Sequence, residues 1–293
     1  MHTGSKPSDK RCPFCSGNEA DTPPELDAER ADGTQENQPG WNVRAFANLY
    51  PATEHHEVIA EGAMHHEHPC DLDVETLQAA ITVWQRRIIA VEATKGVACA
   101  FLFKNVGARA GASIAHNHSQ VIGLPQLPPR LDLERAQQRS LGRCLTCASL
   151  ATAEAEQRII VATAQFVALA PDPPKMPFET WLMPRDCQSD FLQAEAGALA
   201  TAMQQWLQAI GGGLDRPAFN LWLHRVPDAL LEAGPAEAGS SEAGEPCQES
   251  FHWHFELQPR TGQLAGLELG GDMYINSVPA DVTAARLRAG LTN

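Results

Sequence analysis

Basic residues are scarce in this sequence. Its 293 residues include 22 lysines and arginines against 36 aspartates and glutamates, a formal net charge of −14 at pH 7. A protein that binds nucleic acid or an anionic membrane surface normally presents a basic face. The composition therefore predicts no nucleic acid and no membrane among the partners, and it is typical of a soluble protein.

Long apolar runs are also missing. No segment approaches the ~18 consecutive apolar residues of a transmembrane helix, and the opening stretch MHTGSKPSDKR has no apolar run of the kind that a secretory signal contains. We therefore expect a cytoplasmic protein, with its cysteines in a reducing compartment. There a C-x-x-C pair indicates metal binding or redox chemistry rather than a disulfide framework.

The chain contains an internal duplication. The features that recur are a C-x-x-C pair, a long amphipathic helix and an H-x-H segment. In chain order they lie at Cys12/Cys15, 74–94 and His116/His118, and again at Cys144/Cys147, 192–210 and His252/His254. Apolar residues three and four apart support both helices.

Each half also contains strand-like runs, and a strand is predicted between the helix and the H-x-H segment, at 98–104 and at 218–224. The duplication predicts an α+β fold in which two repeats form one mostly antiparallel sheet flanked by helices. We assign the repeats to 1–130 and 131–293. Two stretches fall outside this scheme, a loose tail at 1–10 and a flexible insertion at 229–250 that is rich in Ala, Gly, Ser, Glu and Pro.

Cysteine and histidine residues at matching points of the repeats predict two metal sites. The ligand sets are Cys12, Cys15, His65 and His116 in the first repeat, and Cys144, Cys147, Cys187 and His252 in the second. Four protein ligands close a tetrahedral zinc site, so we expect both ions to be structural; iron is possible in the second site. The alternative is a redox pair, but that requires a C-x-x-C at a helix start after a strand.

Histidines near the first ligand set leave room for a ligand shift of one position. We predict that these neighbours are mostly solvated. They are His55, His56, His66 and His68.

The segment around the first H-x-H motif carries the predicted chemistry. On an extended strand, His116, His118 and Gln120 project to one side. If His116 ligates a metal, His118 is free as a nucleophile, since a neutral imidazole is common near pH 7 and a covalent intermediate divides a hard transfer into two easier steps. Gln120 can then donate to a phosphoryl oxygen, and small residues such as Gly111 suit a phosphate-cradling loop. A metal-only H-x-H pair is the alternative.

These residues resemble those of the galactose-1-phosphate uridylyltransferase family, a branch of the histidine-triad superfamily. The resemblance rests on C-P-F-C at 12–15, the run ending at His65, and N-x-G-x-x-x-G-x-S-x-x-H-x-H-x-Q from Asn105 to Gln120. It implies that His118 attacks the α-phosphorus of UDP-glucose, releases glucose 1-phosphate, and passes the uridylyl group to a hexose 1-phosphate in galactose metabolism.

The resemblance also implies binding roles. Gln120 and Ser113 match phosphate contacts, and Asn105 and Gly111 match positions near the nucleotide phosphates. Asn48 lies where the family binds the nucleoside. Glu268 matches a sugar contact that the neighbouring subunit supplies in this family, which implies a homodimer.

Several residues depart from the common family pattern. H-P-H-G-Q reads H-N-H-S-Q here, and Ser119, the second C-x-x-C pair and the Tyr274–Asn276 segment resemble the related ADP-glucose phosphorylases, which transfer AMP. Leu267 replaces a tyrosine beside the sugar-binding glutamate. Uridylyl transfer is the favoured hypothesis; adenylyl transfer or phosphorolysis of ADP-glucose by the same histidine is the alternative, and a dinucleotide hydrolase or non-catalytic zinc and nucleotide-binding module is the third.

The second repeat is predicted to be catalytically silent. His254 and Glu256 occupy the positions of His118 and Gln120. An ionised glutamate only accepts hydrogen bonds and would repel a phosphate.

Overall fold

The computed structural model describes residues 11–187, 190–231 and 251–291. Within them, ten strands form one sheet in which neighbouring strands pair antiparallel. The strands are β1 (Glu25–Arg30), β2 (Trp41–Ala47), β3 (His56–Glu61), β4 (Cys99–Val106), β5 (His118–Leu124), β6 (Ile159–Ala162), β7 (Phe166–Leu169), β8 (Thr180–Pro184), β9 (Phe219–His224) and β10 (His254–Pro259).

The strand order repeats itself. Across the sheet it is β1-β2-β3-β5-β4-β9-β10-β8-β7-β6, so the second five strands follow the first five in reverse. β4 and β9 join the halves, with Asn105 opposite Asn220. The predicted α+β fold, two repeats in one mostly antiparallel sheet, is confirmed. The boundary between 130 and 131 stays a prediction.

Helices connect the strands and cover the sheet. They are α1 (Val74–Glu92), α2 (Pro129–Leu141), α3 (Leu145–Ala155), α4 (Ala196–Leu214), α5 (Asp228–Leu231), α6 (Gly266–Gly271) and α7 (Ala280–Gly290). None of these helices, in the described ranges, is long and apolar enough to cross a membrane.

α1 shows why the sequence pattern predicted a helix. It begins where the Asp73 carboxylate accepts the backbone N–H of Thr76 at 2.8 Å, which satisfies one of the free donors of the first turn. Leu77, Ile81 and Trp84, three or four residues apart, form part of its buried face. α1 and α4 pack against each other and share one apolar core with the sheet.

The second long helix begins and ends later than predicted. α4 starts at Ala196 rather than at 192, because residues 191–193 form a separate 3₁₀ turn and the Glu195 carboxylate caps the helix by accepting the N–H groups of Gly197 and Ala198. It continues past 210 through glycines, which are poor helix formers. α7 crosses there so closely that a Cβ on Gly212 would collide with the carbonyl oxygen of Gly290.

The strands expected between the second C-x-x-C pair and the long helix are present as β6, β7 and β8. An unpredicted helix precedes them, because the pair lies at the start of α3, where Cys144 caps the helix by accepting the N–H of Cys147. In the predicted insertion at 229–250, residues 229–231 belong to α5. Residues 232–250 lie outside the described residues, as does the predicted tail at 1–10.

Replacing Gly212 with alanine is expected to destabilise the protein. The added methyl group has no room against the backbone of α7, and overpacking typically costs about 1–3 kcal/mol. Urea unfolding should show a lower free energy of unfolding. Gly270→Ala in α6 is the matched control, because a Cβ there meets nothing within 4 Å. Equal stability of the two variants would contradict the close crossing of α4 and α7.

Candidate active site and metal centres

β5 directs alternate side chains to opposite faces of the sheet. Ser119 faces α1, where its Oγ accepts a hydrogen bond from Trp84 Nε1 at 2.7 Å. His118 and Gln120 therefore project from the other face. On the neighbouring strand β3, Val58 lies directly opposite Gln120 and forms part of the same wall.

A cavity of about 300 Å³ opens beside His118. Four predicted site residues, Asn48, Ser113, His118 and Gln120, line it together with apolar side chains. The full lining is Pro13, Phe14, Asp21, Thr22, Pro23, Phe46, Asn48, Leu49, Tyr50, Val58, Ser113, Ile114, His118 and Gln120. Apolar walls with a few polar groups are typical of a small-molecule site. A larger cleft, about 610 Å³, lies between the β1–β2 hairpin and α1, but it contains no predicted site residue.

His118 is held with one ring nitrogen against the backbone. Its Nδ1 lies 2.8 Å from the carbonyl oxygen of His116. A carbonyl only accepts, so Nδ1 carries the hydrogen, and the neutral ring has its lone pair on Nε2. Burial lowers the pKa of His118, although the hydrogen bond to His116 opposes this shift. The ring also packs edge-on against Phe14, 5.4 Å between centroids. His118 thus has the oriented, neutral ring that the predicted nucleophile requires.

The first predicted ligand set is brought together in space. Potential ligand atoms of Cys12, Cys15, His65 and His116 all lie within 4.8 Å of one another. The Sγ atoms of Cys12 and Cys15 are 3.7 and 3.6 Å from His116 Nδ1, and Cys15 Sγ is 3.5 Å from His65 Nδ1. Zinc bond lengths to sulfur and nitrogen in a tetrahedron give a separation of about 3.6 Å. The cluster therefore has the dimensions of a tetrahedral site.

A hydrogen bond on its far nitrogen orients the ring of His116. Its Nε2 donates to the carbonyl oxygen of Gly62 at 2.9 Å, which leaves Nδ1 as the potential ligand atom. Burial also lowers the pKa of His116 to about 4. The neutral ring that results is the form that binds a metal.

The second ligand set also converges, although the Cys187 sulfur is disulfide-bonded and, unlike those of Cys144 and Cys147, is not a free thiol. Potential ligand atoms of Cys144, Cys147, Cys187 and His252 lie within 4.8 Å of one another. Cys147 Sγ is 3.3 Å from His252 Nδ1, and the Sγ atoms of Cys144 and Cys187 are 4.0 Å apart. The far nitrogen of His252 donates to the carbonyl oxygen of Pro184 at 3.0 Å. Both clusters thus use a histidine oriented by a backbone carbonyl.

A buried ion pair lies behind the first H-x-H segment. Lys104 and Glu61 are 4% and 1% exposed and pair directly. Asn117 Nδ2 donates to the same Glu61 oxygen at 3.0 Å, and the backbone N–H of Glu61 donates to the carbonyl of Asn117. Burial lowers the pKa of Lys104, whereas Glu61 raises it. Asn117, where the family pattern has proline, is therefore held by hydrogen bonds.

A third cluster occupies the corresponding part of the second repeat. His224, His254 and Glu256 are buried, with potential ligand atoms within 4.8 Å of one another. Arg130 donates to both Glu256 oxygens at 2.6 and 2.8 Å, and Glu134 lies 2.9 Å from His224 Nδ1. Burial would raise the pKa of Glu256, but His224, His254 and Arg130 lower it. An Arg130–carboxylate pair thus stands where Gln120 stands in the first repeat, which supports the silent role predicted for this half.

Arg130 and Glu134 lie on α2, a helix that the sequence analysis did not predict. Only the placement of α2 next to β9 and β10 brings them to the cluster. The local sequence contains no motif for this contact.

The other predicted binding residues do not line the cavity. Asn105 Oδ1 accepts a hydrogen bond from Asn220 Nδ2 at 2.7 Å and so joins the two repeats. Gly111, with φ +89°, ends the 3₁₀ turn at 108–110 before the H-x-H segment. Glu268 lies on α6 with its side chain partly exposed, and its carboxylate accepts the N–H of Ala265 at 2.9 Å. Their roles in substrate binding stay predictions.

The prediction of mostly solvated histidines was wrong for His56 and His68, which are 8% and 7% exposed. His68 is fixed by a contact of 3.2 Å between its Nε2 and the carbonyl oxygen of Pro217. His56 begins β3 on the same face as Val58, with its Nε2 2.8 Å from Gln120 Oε1. The strand-like run itself was the signal, since residues two apart on a strand share a face and His56 lies two residues before the apolar Val58.

Comparison with known proteins shows that relatives match this chain over both repeats. The family model described as galactose-1-phosphate uridyl transferase, N-terminal domain, matches residues 35–128. An ADP-glucose phosphorylase of Arabidopsis thaliana is 28% identical over 98% of this chain and 84% of its own length. A galactose-1-phosphate uridylyltransferase of Thermotoga maritima is 24% identical over 97% of this chain and 90% of its own length.

Among solved structures, the X-ray structure of a GalT-like protein from Arabidopsis thaliana resembles this chain with a TM-score of 0.77. The two sequences are 30% identical, and the match covers 95% of this chain and 92% of the other. The similarity is therefore one of whole chains and covers both repeats.

Replacing Lys104 with methionine is expected to cost about 3–5 kcal/mol of stability, because Glu61 would remain buried without its cation. The double variant Lys104→Met/Glu61→Leu should recover most of this loss in urea unfolding. Arg216→Met is the matched control, since the Arg216–Asp71 pair is largely exposed and such pairs contribute about 0–1 kcal/mol. Similar costs for the two single variants would contradict a buried pair.

The purified protein is expected to contain two divalent metal ions per chain, measured by mass spectrometry of the elements in protein kept reduced. Cys12→Ser and Cys144→Ser should each lose one ion, because each removes a thiolate from one cluster. Cys99→Ser should retain both, since Cys99 is buried outside the clusters. Unchanged metal content in either cluster variant would exclude that cluster as a metal site. Three ions per chain in the wild-type protein would indicate that the cluster of His224, His254 and Glu256 also binds one.

Proposed function

Because the chain belongs to the galactose-1-phosphate uridylyltransferase family, we propose that it is a nucleotidyltransferase with a covalent intermediate on His118. The observation that carries this proposal is the neutral imidazole of His118, whose Nδ1–H is bound to the backbone and whose Nε2 is free to attack. Gln120, Asn48 and Ser113 line the same cavity. Relatives named for reactions of sugar nucleotides and sugar phosphates support it.

In the first half-reaction, the lone pair on His118 Nε2 attacks the α-phosphorus of a nucleoside diphosphate hexose. The N–P bond forms as the bond to the bridging oxygen breaks, and hexose 1-phosphate leaves with that electron pair. The ring gains positive charge, which the hydrogen bond from Nδ1–H to the His116 carbonyl stabilises. Gln120 donates to a non-bridging oxygen of the phosphoryl group.

In the second half-reaction, a phosphate oxygen of the acceptor attacks the same phosphorus. The N–P bond breaks, its electron pair returns to Nε2, and His118 is again neutral. Since donor and acceptor use one pocket in turn, the kinetics are ping-pong.

Zinc fits the first Cys/His cluster, since thiolate and imidazole ligands at these separations suit a tetrahedral ion, and it fits the second cluster when Cys187 is reduced to a free thiolate. Four protein ligands leave no open position, so we assign both ions to structure; iron in the second cluster is the alternative. The first ion would fix Phe14, which lies between Cys12 and Cys15, against His118. Its effect on the reaction is thus to hold the wall of the pocket.

The named relatives differ in the base of the nucleotide that they use, adenine in one case and uracil in the other. Identity is higher with an ADP-glucose phosphorylase, at 28%, than with a uridylyltransferase, at 24%. Together with the second C-x-x-C pair at Cys144 and Cys147, this favours adenylyl transfer or phosphorolysis of ADP-glucose. Uridylyl transfer between UDP-glucose and a hexose 1-phosphate, which the sequence analysis favoured, is the second candidate, and the match of the family model supports it.

A homodimer follows from the same proposal. Glu268 does not line the cavity of its own chain. Its neighbours Leu269, Met273 and Ile275 are 74%, 63% and 69% exposed, which suits a contact surface. We propose that this segment packs against a second copy and extends Glu268 to the partner's sugar site. Cytoplasmic localisation stays a prediction.

Brief exposure of the protein to ADP-glucose, and separately to UDP-glucose, is expected to add the mass of one nucleoside monophosphate minus water. Intact-mass spectrometry measures the adduct and identifies the base. Adding glucose 1-phosphate should remove it, because a phosphate oxygen of the acceptor attacks the phosphorus and displaces Nε2 of His118. An AMP adduct would support the ADP-glucose reaction, and a UMP adduct the uridylyl reaction.

His118→Asn is expected to abolish the adduct. His254→Asn is the matched control, since His254 holds the equivalent position in the other repeat and should leave the adduct intact. An adduct that persists in His118→Asn, or no adduct with either donor in metal-loaded protein, would refute covalent catalysis at His118.

A further inference from the structure

Three polar side chains meet beside the nucleophile. His56 Nε2 lies 2.8 Å from Gln120 Oε1, and Asn48 Nδ2 lies 3.4 Å from the same oxygen. His56 is 8% exposed, so water competes little for these contacts. The arrangement raises the question of which end of the Gln120 amide faces the cavity.

The backbone decides which nitrogen of His56 carries the hydrogen. The N–H of Ala52 donates to His56 Nδ1 at 3.1 Å. A backbone N–H is only a donor, so Nδ1 is the acceptor, and the neutral ring carries its hydrogen on Nε2. Nε2–H therefore donates to Gln120 Oε1. The N–H of Asn48 donates to the His56 carbonyl at 2.8 Å, which holds the intervening loop closed.

Asn48 is oriented independently and acts in the same direction. The N–H of Tyr50 donates to Asn48 Oδ1 at 2.9 Å, so Nδ2 is the end that faces Gln120. Nδ2 is also 3.2 Å from His56 Nε2, but that nitrogen already carries a hydrogen. The Asn48 amide hydrogen therefore points to Gln120 Oε1.

We propose that His56 is a positioning residue that sets the orientation of the Gln120 amide. Two donors converge on Oε1, and a rotated amide would turn its own hydrogens against both. Gln120 Nε2 is thus directed to the cavity, where it donates to a non-bridging oxygen of the phosphoryl group on His118. The role rests on the proposed function, because it acts on the phosphoryl group that His118 receives.

The test compares His56→Leu with His56→Gln. Leucine fills similar space without a donor, whereas glutamine keeps an N–H near the position of Nε2. Loss of one preorganised donor typically costs about 10²–10³ in rate, and loss of its orientation should cost part of that. We expect His56→Leu to slow single-turnover adduct formation by about 10- to 100-fold with little change in donor Kd, and His56→Gln to restore most of the rate.

A double-mutant cycle with Gln120→Ala separates positioning from a general structural effect. In the Gln120→Ala background, His56→Leu should slow adduct formation no further, because there is no amide left to orient. The same fold loss in both backgrounds would overturn the proposal. Thermal unfolding of each variant shows that the fold is retained.

The hydrogen position on His56 is a readout that does not depend on activity. Nitrogen-15 NMR of the full-length protein, with His56→Gln to assign the signal, should find Nε2 protonated and Nδ1 unprotonated. An Nδ1–H form would overturn the proposal whatever the rates. Absence of any adduct in the wild-type protein would count against the proposed function alone, while the ring hydrogen would still decide how Gln120 is held.

Discussion

The segment that runs from His116 into β5 is the constraint on which both the first metal cluster and the pocket depend. His116 lies at a bend just before the strand, whereas His118 and Gln120, two apart on β5, share one face. The carbonyl of His116 accepts the Nδ1–H of His118, so the metal-cluster residue also orients the nucleophile. Phe14, enclosed between Cys12 and Cys15, packs against His118. The first metal cluster and the pocket are therefore positioned by the same residues.

The second repeat keeps this backbone and changes its chemistry. His252 donates to the Pro184 carbonyl as His116 donates to the Gly62 carbonyl. At the next positions the halves diverge, since a buried glutamate at 256 requires a cation and Arg130 supplies it. An amide such as Gln120 requires no counter-ion and can face a phosphate. The carboxylate of Glu256 is therefore paired with Arg130 in the second repeat, whereas the amide of Gln120 lines an open cavity in the first.

Much of the fold was predictable because its signals are periodic. The helix predicted at 74–94 is α1, Val74–Glu92, and the strand predicted at 218–224 is β9, Phe219–His224. α4 was displaced by four residues at each end because a cap at Glu195 and a crossing with α7 outweigh apolar spacing. The burial of His56 was missed for a related reason. It depends on the neighbouring strand β5, and the local sequence around it is rich in polar histidines.

The sequence by itself determined which residues are chemically able to ligate and to attack. Two C-x-x-C pairs, two H-x-H segments and their matching order are local patterns, and the duplication made each half evidence for the other. Only the tertiary structure decided how those residues are supported. Gln120 meets His56 across 64 residues of chain, and Glu256 meets Arg130 across 126. No local pattern encodes such contacts, because they exist only after the order of the strands has brought distant segments side by side.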